Sequence, residues 1–109
     1  MITFDDFQKI DIRIGKITEI EDAETRKPMF KIKIDFGELG VKQTIAGLKG
    51  FYEKEELLGK KVAAVVNLEP RKMGPELSEC MIMAAVVGNE EKVSILQPER
   101  NIDTGAKVY

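Results

Sequence analysis

Phe30-Lys31-Ile32-Lys33-Ile34-Asp35-Phe36 is the cleanest alternation in this 109-residue chain. Apolar residues at every even position and charged ones between them are the period-2 signature of a half-buried strand, with Lys31 and Lys33 on its polar face. Downstream, Gly37-Glu38-Leu39-Gly40 reads as a turn into a second strand, Val41-Lys42-Gln43-Thr44-Ile45. Both flanks have period 2, so a hairpin turn fits this Gly-x-x-Gly better than the helix-joining loop with which KH domains clamp nucleic acid. Asp35-Phe36-Gly37 lacks every other part of a kinase site and reads as a strand end. Upstream, Ile10, Ile12 and Ile14 alternate with Asp11 and Arg13, but Ile17 and Ile20 leave that row. Gly15 lies at the break, so a bulge or sharp bend is expected there, and a long bent strand is one way to close a small barrel.

The remaining segments extend this pattern. Thr3 to Ile10 reads as a short amphipathic helix, with Thr3 and Asp6 at capping-box spacing and Phe4 and Phe7 on one face. Glu21 to Pro28 is a charged loop. Glu53 to Leu58 is a short acidic helix stopped by Gly59. Val62 to Val66 and Met81 to Val87 are continuous apolar runs, as expected of strands buried on both faces. Asn67 to Pro75, with its Pro and Gly, is predicted to be a loop, and Val93 to Leu96 a last strand. The expected fold is all-β, a five-stranded barrel of the oligonucleotide/oligosaccharide-binding (OB) type. It carries a short N-terminal helix, a second short helix between strands 3 and 4, and a C-terminal extension. By pattern alone an SH3-like barrel fits nearly as well.

Composition narrows the function. Nineteen acidic and seventeen basic residues give a formal net charge of −2, so any nucleic-acid binding must come from a local basic patch. No apolar run approaches the ~18 residues of a membrane span, and the N-terminus has no signal-peptide pattern; a soluble cytoplasmic protein is expected. The chain has no histidine, which removes Ser-His-Asp and Cys-His catalysis and histidine-ligated metals. Cys80, the one cysteine, sits in an apolar run and reads as a buried hydrophobe. There is no phosphate-binding Gly-rich loop. The expectation is a binding protein, not an enzyme, with no cofactor and no metal. The basic residues Arg26, Lys27, Lys31, Lys33, Lys42, Arg71 and Lys72 cluster along the second and third strands and the following loop, while the acidic groups concentrate elsewhere in sequence. Lys31 and Lys33 on one outward face would lie roughly 7 Å apart, near the phosphate spacing of a nucleic-acid backbone.

The motifs carry a resemblance. They are Asp11-Ile12-Arg13-Ile14-Gly15-Lys16-Ile17, Ala46-Gly47-Leu48-Lys49, Glu55-Glu56-Leu57-Leu58-Gly59-Lys60-Lys61-Val62, Val66-Asn67-Leu68-Glu69-Pro70-Arg71-Lys72 and Ser78-x-x-Met81-Ile82-Met83-Ala84-Ala85. Together they resemble the tRNA-binding domain found in methionyl-tRNA synthetases, in stand-alone structure-specific tRNA-binding proteins, in the endothelial monocyte-activating polypeptide and in CsaA-type export chaperones. Arg26-Lys27-Pro28 and Met73-Gly74-Pro75 resemble the CsaA type; Asn67-Leu68-Glu69-Pro70 and Met83-Ala84-Ala85 are closer to the synthetase type. Arg26-Lys27-Pro28 replaces the synthetase-type His-Pro-x-Ala-Asp, and Ser78-Glu79-Cys80-Met81 replaces Ser-x-Gly-Met. The resemblance implies one domain over residues 1–109, with a barrel over about 11–88 and the N-terminal helix and 89–109 serving dimerisation. It implies a homodimer that binds tRNA by shape and acts in trans to tRNA or an aminoacyl-tRNA synthetase. A CsaA-like chaperone of unfolded preproteins is the alternative. By motif, the resemblance assigns tRNA contacts to Asn67, Arg71, Lys72, Ser78 and Met81. The outward-face pattern adds Lys31, Lys33 and Lys42.

Overall fold

A computed structural model describes all 109 residues. The first turn is stabilised locally. Thr3 Oγ1 accepts the Asp6 N–H and Asp6 Oδ2 accepts the Thr3 N–H, a reciprocal capping box at the start of α1 (Phe4–Gln8). Five residues cannot hold a helix alone. Phe7 docks on the barrel wall, whereas Phe4 stays largely exposed.

The barrel grows from β1 (Ile12–Asp22), which serves two partners. Its first half, Ile12 to Lys16, pairs with β4 (Lys61–Val65); its second half, Lys16 to Asp22, pairs with β2 (Phe30–Asp35). β2 pairs with β3 (Val41–Ala46) through a short 3-10 turn at Gly37–Leu39, as expected for a hairpin. After β3 comes α2 (Lys54–Leu57), whose Leu57 is fully buried in the barrel core. The main sheet has the order β3-β2-β1-β4-β7, with β7 (Met81–Ile82) beside β4. β3 curls round to meet the chain that leads into β7, nearly closing a five-stranded OB-fold barrel. Ile17, Ile32, Ile34, Phe36 and Val62 fill its interior.

Two details of β1 make the closure possible. Gly15 lies at the bend, where a Cβ would sit 2.4 Å from Ile34 Cγ2 and 2.6 Å from Phe36 Cε1; the missing side chain is the space those groups occupy. The bulge itself falls three residues later. Ile17 pairs with Ile34 and Glu19 with Lys33, so Thr18 is the extra residue. Without it, Glu19 would face Ile32 inside the barrel; with it, Ile20 takes that place, and Glu19 and Glu21 face outward.

Several segments differ from the sequence expectation. Three of the nine residues in the predicted loop Asn67 to Pro75 are strand: β5 (Arg71–Met73) pairs with β6 (Glu76–Ser78), just beyond the loop, in a hairpin about Gly74-Pro75. The run Met81 to Val87 divides at Met83 into β7 and β8 (Ala84–Val87), and Met81, Val86 and Val87 are exposed rather than buried on both faces. β8 pairs with β9 (Lys92–Ile95) as a separate ribbon, anchored by Ile95 in the core. A two-residue β10 (Lys107–Val108) in the tail pairs with the start of β1. There Ala106 and Val108 help cover Ile12, Ile14, Ala63 and Val65 on the outer wall. Val62 to Val66 is buried throughout, as expected.

Gly15→Ala is expected to destabilise the fold by about 2 kcal/mol or more, because the added methyl has no room. Gly47→Ala, with its nearest neighbour 3.9 Å away, is the control and should change little. Urea unfolding of the two variants checks both.

Candidate nucleic-acid interface

The β5–β6 hairpin lies across the outer face of β2 and β3, held there by side chains. Glu76 is buried; its carboxylate accepts the Glu24 N–H at 3.2 Å and pairs with Lys31 Nζ at 3.4 Å. Thus the hairpin is joined both to the β1–β2 loop and to β2. Between that loop and the hairpin turn opens a cleft of about 670 Å³, lined on one lip by Arg26 and Lys27, on the other by Gly74 and Pro75, with Met29 and Met73 between them. Gly74 has φ +62, and a Cβ there would come within 3.2 Å of Glu24 O, so loop and turn approach closely.

Next to this cleft the hairpin meets the barrel seam. Ser78 Oγ accepts the Ile45 N–H at 3.0 Å, Glu79 Oε1 accepts the Gln43 N–H at 3.1 Å, and the Glu79 N–H donates to Gln43 O at 2.7 Å. Two of these three bonds use side chains in place of a backbone ladder. Arg71, Ser78 and Met81 come together here around a second, smaller depression with Met29, Met73 and Leu68.

The expected site residues therefore fall into groups. Arg71 and Lys72 stand exposed on β5, and Met81 is half-exposed beside them. Ser78 is engaged in closing the barrel. Asn67 is engaged as well: its Oδ1 accepts the Asp11 N–H at 2.9 Å and its Nδ2 donates to Lys9 O at 2.7 Å, clamping the junction of α1 and β1. Lys31 and Lys33 do face outward, but Glu21 and Glu19 stand directly opposite them in register. Lys31 pairs with Glu21 at 3.0 Å and Lys33 with Glu19 at 3.7 Å. Glu21, then Glu76, hold the Lys31 ammonium above the ordinary lysine range against the opposing effect of burial. The expectation that acidic groups lie elsewhere is corrected here: the Thr18 bulge brings Glu19 and Glu21 to the lysine face. Lys42 pairs with Ile34, so it belongs to the opposite face of the sheet from Lys31 and Lys33.

Charge pairing separates the cations. Lys31, Lys33, Lys49 and Lys54 each have a carboxylate within 4 Å, Asp22 serving the last two. Arg26, Lys27, Lys42, Arg71 and Lys72 have none. Arg26, Lys27, Arg71 and Lys72 lie on the β1–β2 loop and the hairpin, and their charges are available to an anion; Lys42 lies on the other face of the sheet. Arg26 and Lys27 belong to the basic cluster read from the sequence, and the structure adds that they line the cleft and are unpaired.

A family model described as a putative tRNA binding domain matches residues 12–107. The chain belongs to the tRNA-binding domain family. This domain is 40% identical over 107 residues to a methionine–tRNA ligase of Thermococcus kodakarensis and 42% identical to that of Pyrococcus abyssi. In each case the match covers 98% of this chain and 14% of the ligase, so the chain spans about a seventh of those relatives' length. Among solved structures, the chaperone CsaA of Bacillus anthracis superposes with a TM-score of 0.94 at 36% identity, covering 100% of this chain and 99% of that one. The CsaA chaperone protein of Picrophilus torridus superposes at 0.92 with 40% identity over the full length of both.

Cys80 lies beneath the seam, and burial, followed by the nearby Glu79 charge, pushes its thiol up to about 12. The tRNA-binding domain should therefore resist thiol-directed disulfide reagents at pH 8 while folded and react once unfolded. Above the ordinary thiol value of 9.0 the unfolded chain loses this proton and the folded chain keeps it. Stability should thus fall as pH rises from about 9 toward 12, and the fall should be shallower in Cys80→Ala. Ser78→Ala leaves the Ile45 N–H without its acceptor and should destabilise by about 1–2 kcal/mol, with faster hydrogen exchange at Ile45.

Proposed function

We propose that this chain binds tRNA through its backbone phosphates, as a homodimer and without catalysis, recognising the shape of the RNA rather than a base sequence. The observation that carries the reading is the segregation of unpaired cations. Arg26 and Lys27 line the cleft beside Glu24 without an ion pair to it, Arg71 and Lys72 stand on the hairpin strand that leads into its turn, and none of the four has a carboxylate within 4 Å, whereas the neighbouring lysines are paired. In a chain of net charge −2, such a cluster is a local feature suited to phosphate. The OB fold presents this end of the barrel, between its first loop and its late hairpin, to oligonucleotides. Arg71 and Lys72 supply charge in this reading, and Lys42, on the opposite face of the sheet, does not share their surface. Met81, with Met29 and Met73, offers an apolar surface to an unstacked base. Asn67 and Ser78 act by holding the hairpin's two ends in place. Lys31 and Lys33 contribute through their ion pairs more than through phosphate.

Exposed apolar groups support the dimer. Phe4 on α1, Ile10 just after it, Val86 and Val87 on β8, and Leu96 and Tyr109 in the tail are large apolar side chains left exposed, which a second copy could cover. Similarity to the methionine–tRNA ligases supports a synthetase as a partner acting on the same tRNA.

One observation favours a second reading, a CsaA-like chaperone of unfolded preproteins. An apolar groove of about 240 Å³ runs along β3 and β7, lined by Ile45, Ala46, Met81, Ile82, Val86 and Val93, and the CsaA structures match over the full chain. Salt separates the two. A titration with bulk tRNA across a salt series should show affinity falling steeply. Arg71→Ala/Lys72→Ala should lower the log–log slope by about 1.5, since each lost ion pair removes ~0.7–0.9. Salt-insensitive binding of an unfolded peptide, with no tRNA binding, would overturn the tRNA reading in favour of the chaperone.

A further inference from the structure

A second uncompensated basic cluster lies at the other end of the barrel wall. Lys16 on β1 stands directly opposite Lys61 on β4. Like charges facing each other across antiparallel strands are destabilising unless something neutralises them. Nothing in the chain does so. Asp35, opposite Lys16 on its other flank, instead accepts the Gly37 N–H at 2.8 Å and makes no ion pair with Lys16. Lys61 Nζ donates to Asn101 Oδ1 and to Ile102 O, two neutral acceptors, so its position is held while its charge and one N–H remain. Arg100 joins them across an open pocket of about 340 Å³ that has no apolar residue in its lining. The one acid there, Glu99, lies 3.7 Å from Arg100 with both side chains almost wholly exposed, a pairing that contributes little.

We infer that Lys16, Lys61 and Arg100 form a second phosphate-binding site. The donors match an oxyanion: two ammonium groups approaching from adjacent strands, a guanidinium fork, and the free Asn101 amide N–H. Lys61 is fixed before the ligand arrives, which lowers the ordering cost of binding. The site is separate from the cleft. Lys16 precedes the end of β1 by six residues, about 20 Å of strand at ~3.3 Å per residue, and the cleft lies beyond that end. As a contact for an RNA backbone, which rests on the proposed tRNA binding, this site gives one chain two grips on a single RNA. Two grips at a fixed separation measure the shape of a folded backbone without reading a base.

The test has two arms. The tail is anchored through Lys61, so the variant is Lys16→Ala/Arg100→Ala, which leaves that anchor intact. In the first arm, inorganic phosphate is titrated into the protein and amide shifts are followed by NMR. Saturable shifts at Lys16, Gln97 and Asn101, absent in the variant, are expected, and their absence from the wild-type protein would overturn the site. In the second arm, tRNA binding is measured across a salt series. The variant should bind about tenfold more weakly, with a slope lower by about 1.5. An unchanged slope alongside intact phosphate shifts would assign the pocket to a free phosphate and overturn its role on RNA. If wild-type protein binds phosphate there but no tRNA at all, the tRNA reading fails and the anion site stands.

Discussion

The whole barrel depends on one strand serving two neighbours. β1 gives its first half to β4 and its second half to β2, changing partner at Lys16, next to a glycine whose missing side chain leaves room for the core. Phe36 and Ile34 fill the position a side chain at Gly15 would occupy, so the bend and the core are set by the same contact. The Thr18 bulge then restores the inward row, bringing Ile20 to the interior and turning Glu19 and Glu21 outward. Every later feature inherits this arrangement, including which lysines are neutralised and which are free.

The interface follows from that inheritance. Outward Glu19 and Glu21 take up Lys33 and Lys31, and Glu76 adds a second hold on Lys31 while fastening the β1–β2 loop. Among the cations left over are Arg26 and Lys27 on the loop and Arg71 and Lys72 on the hairpin, which no strand register sets opposite a carboxylate. Charge on this molecule is sorted by strand pairing, so a nearly neutral chain can still present concentrated positive regions.

Much of this was legible in the sequence, and the rest was not for identifiable reasons. The alternation from Phe30 to Phe36, the Thr3 and Asp6 cap, and the Gly37 to Gly40 turn are local patterns, and each forms as read. Of the bulge or sharp bend expected at Gly15, the bulge lies three residues on, at Thr18, because an extra residue has no composition of its own and is defined only by its partner strand. β5 falls inside the predicted loop because a strand of three residues is too short to show a period. Met81 to Val87 looked buried because an apolar run does not state whether its cover comes from its own chain. Residue types at the binding end were readable, but the roles of Asn67 and Ser78 were not. Both use their polar atoms on backbone far away in sequence.

That last point bears on how the barrel changes over time. A ladder of backbone hydrogen bonds is nearly indifferent to which side chains it carries, and so survives most substitutions. The joint between β3 and the chain entering β7 is different, because a hydroxyl and a carboxylate complete it. Evolution can therefore loosen or tighten this one edge by single-nucleotide changes, leaving the other strand pairings as they are. The circle of strands has an adjustable clasp, and it sits beside the cleft between the β1–β2 loop and the hairpin turn.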